Sequence, residues 1–162
     1  VVGRFKSLLI AADGEKYSPE GIEEALVENS KFISQVVLHD NQDPYVSLLL
    51  VPNKDALVEY VKKEHPGVDP ASEEGKTLQL KKIQSEVDQY RAGGAFAGLF
   101  PERWLPAAIC VLPEPFTEQN HMVNSTMKIV RGKVEEAYKD RLEFAYTVEG
   151  KNIVNAQNLA AL

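Results

Sequence analysis

The sequence predicts an α+β fold: one domain in which a small, mostly antiparallel sheet carries helices on its faces. Three observations predict it. Short β-prone runs alternate with longer stretches whose apolar residues recur on one helical side. Pro, Gly and Asn residues fall between those stretches, where turns and helix ends need them. With 162 residues, 44% of them hydrophobic, the chain can bury one core and has too little length for several.

The elements follow in order. Arg4 to Ala12 is β-prone and runs into Asp13-Gly14, a strong turn signal. Ser18-Pro19 supplies an N-cap and a proline for the first helical position, and Glu20, Glu23 and Glu24 complement the helix dipole. Ile22, Ala25 and Leu26 form that helix's inner stripe, and Asn29 ends it. Val36–Leu38 and Tyr45–Val51, joined by the polar turn Asp40 to Pro44, read as an antiparallel pair. Asn53 caps a second helix with its face at Leu57, Tyr60 and Val61, and Pro66-Gly67 stops it. Ser72 opens a third, whose stripe is Leu80, Ile83, Val87 and Tyr90 and which packs on the sheet. Gly93 to Gly98 is a small-residue loop, Ala107–Leu112 a strand ended by Pro113 and Pro115, and 118–126 a polar, featureless stretch. Val130 to Tyr138 is helical, with a further short helix near Leu159.

Composition excludes several functions. A net charge of −6 argues against a nucleic-acid surface, which needs clustered Lys and Arg. Cys110 is the single cysteine, so neither an internal disulfide nor a cysteine zinc site can form. One thiol in an apolar strand is expected to be buried and inert, and it fits a reducing compartment. The expectation is a cytoplasmic chain without a transmembrane segment, since no apolar run approaches ~20 residues; peripheral membrane contact stays open. The start at Val1, without methionine, reads as a cut inside a longer polypeptide.

Little in the residues themselves announces chemistry. His39, His65 and His121 lack metal-ligand spacing and read as ordinary surface histidines, so no metal site is expected. No GxSxG, P-loop or GxGxxG occurs, and Gly93-Gly94 lacks the strand and helix of a phosphate cradle. Two cationic spots stand apart. Arg4 and Lys6 alternate with Phe5 and share one strand face. Lys128 lies in the hydroxyl-rich loop Ser125-Thr126-Met127-Lys128-Ile129-Val130-Arg131, from which an ammonium can reach an anionic substrate. A solvated surface lysine is the plainer alternative.

Gly3-Arg4-Phe5-Lys6-Ser7-Leu8-Leu9-Ile10, followed by Asp13-Gly14-Glu15 and Pro19-Glu20-Gly21-Ile22-Glu23, resembles the hinge motif of the adenylate-forming enzymes. The resemblance is closest to long-chain fatty acid–CoA ligases, which favour Phe after the arginine and Gly-Glu in the turn. Asn124 to Arg131 is similar to the final lysine motif of the same superfamily. Ser7 and Asp13 depart from its pattern, where an acidic residue and a first glycine are commoner, and Pro66 to Arg103 is longer than in short-chain relatives.

The resemblance implies that residues 1–162 are one mobile C-terminal domain with a hinge near residues 3–7, working with a large N-terminal domain absent from this chain. It implies ATP, Mg²⁺ and CoA as reactants and cofactor, and a fatty acid as substrate. Lys128 is the implied adenylation lysine, Lys6 the hinge, Arg4 a nucleotide contact and Gly14 the close approach to CoA. The isolated domain is expected to be inactive. Transfer to a carrier protein instead of CoA remains open, as does a non-catalytic binding module.

Overall fold

The computed structural model describes residues 8–162. Arg4, Lys6 and Ser7, with the start of the first expected strand, lie outside the described residues. Strand β1 (Leu9–Ile10) pairs antiparallel with β2 (Lys16–Tyr17) as a short hairpin. A second sheet has the order β3 (Ile33–His39), β4 (Ser47–Pro52), β5 (Ala108–Val111). The β3–β4 pair is antiparallel, as its short polar turn demands, whereas β4–β5 is parallel. A parallel neighbour needs a long crossover, here helices α2 (Lys54–Glu64) and α3 (Glu73–Asp88).

The central strand explains the layering. Every residue of β4 is buried, so it carries a continuous apolar run, Leu48 to Val51, where a half-exposed strand would alternate. Leu48 and Leu50 point to one face, with Leu38, Val36, Ile109 and Val111 beside them. That face meets helix α1 (Glu20–Glu28) through Ile22 and Leu26, α2 through Leu57, and α3 through Leu80, Ile83 and Val87. Leu49 and Val51, with Val37, Ala108 and Cys110, face the other way. They meet α4 (Arg131–Ala137) through Val134 and α5 (Lys139–Ala145) through Leu142 and Ala145. Two short helices, α6 (Val148–Lys151) and α7 (Ala156–Ala161), finish the chain. Among the described residues no helix is long and apolar enough to cross a membrane.

Local chemistry accounts for most boundaries. The Asn53 side chain accepts from the Ala56 amide at 3.2 Å and Ser72 Oγ from Gly75 at 3.1 Å, the two caps that the sequence predicts. Asn29 ends α1, its amide donating to Ala25 O at 2.9 Å. Ser18 does not cap α1, a departure from expectation: Pro19 takes the cap position, with no side-chain cap hydrogen bond. The helix expected over Val130 to Tyr138 is α4, which ends at Tyr138 with φ −114°, off the helical region, and α5 follows at once, an element not expected from the sequence.

The edge of β5 is closed by one side chain. Asn158, fully buried on α7, accepts from the Val111 amide at 2.8 Å and donates to the Ile109 carbonyl at 2.9 Å. It thereby stands in for a neighbouring strand. Asn158→Ala leaves both groups buried and unpaired, and each such group costs about 1–3 kcal/mol. The expected outcome is a loss of about 3 kcal/mol in urea unfolding; a loss below about 1 kcal/mol would mean the edge is satisfied otherwise.

Candidate functional site

Lys128 lies at the tip of a tight hairpin. Val123 and Ile129 form its antiparallel bridge, and the Asn124 amide donates to Lys128 O at 2.9 Å. Met127 N closes the turn on Asn124 O at 2.9 Å. The Asn124 carboxamide oxygen then accepts from Thr126 N at 3.0 Å, Thr126 Oγ1 at 2.7 Å and Lys128 N at 3.0 Å. These bonds make a three-residue hairpin loop whose last position must be left-handed, and Met127 occupies it with φ +65°. Glycine would meet that requirement without strain; methionine tolerates it at a cost of roughly 1–2 kcal/mol. Lys128 is exposed and has no salt-bridge partner among the described residues. The roots of the hairpin, Met122 and Val123, are buried. A self-bonded loop thus holds out the ammonium.

Arg131, three residues on, anchors the loop. Its guanidinium donates to both carboxylate oxygens of Glu23 at 2.9 and 2.8 Å, and also to Leu38 O at 2.9 Å. Glu23 Oε2 in turn accepts from the Leu38 amide at 2.7 Å. The two side chains are only 17% and 14% exposed, so removing either partner strands a buried charge, at about 3–5 kcal/mol. Burial works against the Arg131 charge, but the Glu23 carboxylate more than offsets it and its pKa stays raised. The fork joins the residue that closes one motif, Glu23, to the end of the other.

Gly14 sits in the β1–β2 turn with φ +91°, a conformation that favours glycine, and a Cβ there would meet open space. Asp13 Oδ1 accepts from the Glu15 amide at 2.9 Å, so the departure from a first glycine supplies a turn contact. Glu15 is gripped by Arg103 at 2.8 and 2.9 Å and by the Trp104 indole at 3.2 Å. Those donors hold its carboxyl well down, to about 2. Trp104 also stacks on Tyr17, with ring centroids 5.1 Å apart. The end of the long segment from Pro66 to Arg103 therefore braces the Gly14 turn. Lys128 and Gly14 sit on separate hairpins, with Arg4 and Lys6 outside the described residues.

Sequence reasoning missed His39. It is half-buried, not an ordinary surface histidine: Nδ1 lies 2.6 Å from Glu135 on α4 and Nε2 3.2 Å from Asp43. Asp43, four residues on, was a local signal, but Glu135 is 96 residues away and could not be one. A pocket of about 370 Å³ opens beside His39, lined by four carboxylates (Asp43, Glu135, Glu136 and Glu143) together with Lys139 and Tyr146. With four carboxylates against Lys139 and His39, the lining is acid-rich and disfavours phosphate. Cys110 is buried as expected, and burial raises its thiol to about 11. Among the described residues no cluster of three His, Cys, Asp or Glu side chains can hold a metal ion.

Burial disfavours the charged His39 ring, but the Glu135 hydrogen bond and charge, helped by Asp43 and Asp40, raise its pKa above 6.5. The stabilisation is therefore complete below pH 6.5 and is lost as pH rises through the raised folded value. Urea midpoints across pH check this. The wild type should lose stability relative to His39→Gln as pH climbs from below 6.5, and parallel profiles would show that the ring does not titrate with folding.

The profile of AMP-binding enzyme C-terminal domains matches residues 6–88, just over half of the chain. Long chain acyl-CoA synthetase 8 of Arabidopsis thaliana is 29% identical over 90% of this chain and 20% of its own length. A chloroplastic long-chain-fatty-acid–[acyl-carrier-protein] ligase of the same plant is 26% identical over 90% of this chain and 17% of its own. The chain thus spans about a fifth of the length of the curated relatives it matches. The crystal structure of the adenylation domain of a carboxylate reductase from Mycobacterium chelonae shares the fold, with a TM-score of 0.66 and 24% identity over 86% of this chain and 19% of that one. On the match over residues 6–88, the chain belongs to the family of AMP-binding enzyme C-terminal domains.

Proposed function

We propose that this chain is the mobile C-terminal domain of a long-chain fatty acid–CoA ligase and that Lys128 is its adenylation lysine. The observation that carries the reading is an exposed lysine, without an ion-pair partner among the described residues, at the tip of a self-bonded hairpin. In the first half-reaction a fatty acid carboxylate attacks the α-phosphorus of ATP, and pyrophosphate leaves. Two anions must come into contact. An ammonium bridging them offsets their repulsion and stabilises the charge that develops. Mg²⁺ would accompany ATP and help neutralise its phosphates; among the described residues no cluster of three His, Cys, Asp or Glu would hold it.

In the second half-reaction the CoA thiol attacks the acyl carbonyl and AMP leaves. The Gly14 turn, with no side chain at its bend, suits close passage of a pantetheine arm. Lys6 is the hinge and Arg4 a nucleotide contact in this reading, with the rest of the site on a large N-terminal domain. The likeness to a carrier-protein ligase favours one alternative, in which the thiol acceptor is a carrier protein's phosphopantetheine.

Fatty-acid-driven ATP–pyrophosphate exchange and CoA-dependent AMP release by the full-length enzyme test the reading. Lys128→Ala should lose at least about 100-fold in exchange, as when one preorganised charge-stabilising group is removed. Thioester formation from supplied acyl adenylate should survive; equal loss of both steps sinks the assignment. Lys6→Pro should preserve exchange and block the second step, and an unaffected second step removes Lys6 as hinge. Exchange without CoA-dependent release would make the carrier protein the acceptor.

A further inference from the structure

We propose that Glu23 and Arg131 are positioning residues for Lys128. The inference rests on the reading of Lys128 as the adenylation lysine and names what aims it. Bonds within residues 124–128 make the hairpin tip rigid, but they do not decide where the tip points. That direction is set at the roots. On one side Val130 N donates to Met122 O at 2.7 Å. On the other, Arg131 spans Glu23 and the Leu38 carbonyl, while Glu23 takes the Leu38 amide. Helix α1, edge strand β3 and the lysine hairpin meet at this one fork.

A fork is a device for orientation more than for stability. Two parallel N–H···O bonds between planar groups fix angle as well as distance. A buried ion pair, by contrast, is weak evidence for stability, since apolar replacements often hold a fold equally well. The same strand adds a second fastening farther along α4, where Glu135 meets His39 at 2.6 Å. Helix α1, capped by Pro19, carries Glu20 to Glu23, the end of the hinge motif. Lys128 therefore turns as one body with that segment, and a swing of the domain presents or withdraws the ammonium without slack.

The test uses the full-length enzyme with Arg131→Lys, Arg131→Gln and Glu23→Gln, and Lys128→Ala as reference. Three quantities are read: kcat and KM for ATP in pyrophosphate exchange, thioester formation from supplied acyl adenylate, and the thermal midpoint. Arg131→Lys keeps the charge and loses the planar fork. It should fold, lose about 100-fold in the kcat of exchange, the scale of a misplacement near 1 Å, and retain KM for ATP and thioester formation. Glu23→Gln should follow it. Parallel loss of both half-reactions in step with the folded fraction overturns the proposal, as does full exchange in folded Arg131→Lys. If Arg131→Gln fails to fold, Arg131→Lys alone decides. Exchange that survives Lys128→Ala sinks the underlying reading; exchange lost in Lys128→Ala but kept in Arg131→Lys sinks only the positioning role.

Discussion

A three-stranded sheet buried on both faces still has two edges, and the amides and carbonyls on them must find partners away from water. Side chains meet that constraint here. On β5 the carboxamide of Asn158 takes the Val111 amide and the Ile109 carbonyl. On β3 the Glu23 carboxylate takes the Leu38 amide, and the Arg131 guanidinium takes its carbonyl. The groups that finish the sheet come from α7, α1 and the start of α4, so closing the edges also fixes where those helices sit. The position of the lysine hairpin is a by-product of completing a sheet.

Within that frame the two hairpins have separate fastenings. The Lys128 hairpin is stiff by its own bonds, accepts a left-handed methionine at its bend, and is rooted through Arg131. The Gly14 hairpin is held by Glu15, on Arg103 and Trp104, and by Tyr17, whose hydroxyl donates to Asp40 at 2.8 Å. Burial and the Asp40 hydrogen bond push the Tyr17 phenol far up, so it remains a neutral donor. Neither loop leans on the other's fastening.

Much of this is legible in the sequence, for physical reasons that can be named. Leu48 to Val51 cannot alternate because both faces of β4 are covered, and the unbroken apolar run reports it. Asn53 and Ser72 are readable as caps because a cap is a local bond between near neighbours. Lys128 and Gly14 stand out only through their motifs, which give their places and not their surroundings. The failures share a cause. Glu23 and Arg131 are 108 residues apart and His39 and Glu135 are 96 apart, so nothing local marks either pair. Ser18 looks like a cap, yet helix α1 begins two residues later at Glu20. Helix α4 ends at Tyr138 as the sequence predicts, whereas α5 directly after it has seven residues, too few for a clear periodic stripe.

The brace on Glu15 has an evolutionary consequence. Arg103 and Trp104 reach the Gly14 turn from the far end of a long intervening segment, whereas Lys128 is rooted through α1 and β3. Mutations in that segment can reshape the turn while the lysine hairpin keeps its fastening. Selection can then act on the Gly14 turn separately from the Lys128 hairpin. A domain divided in this way can remodel one hairpin by drift in a single arm, with the fastening of the other inherited intact.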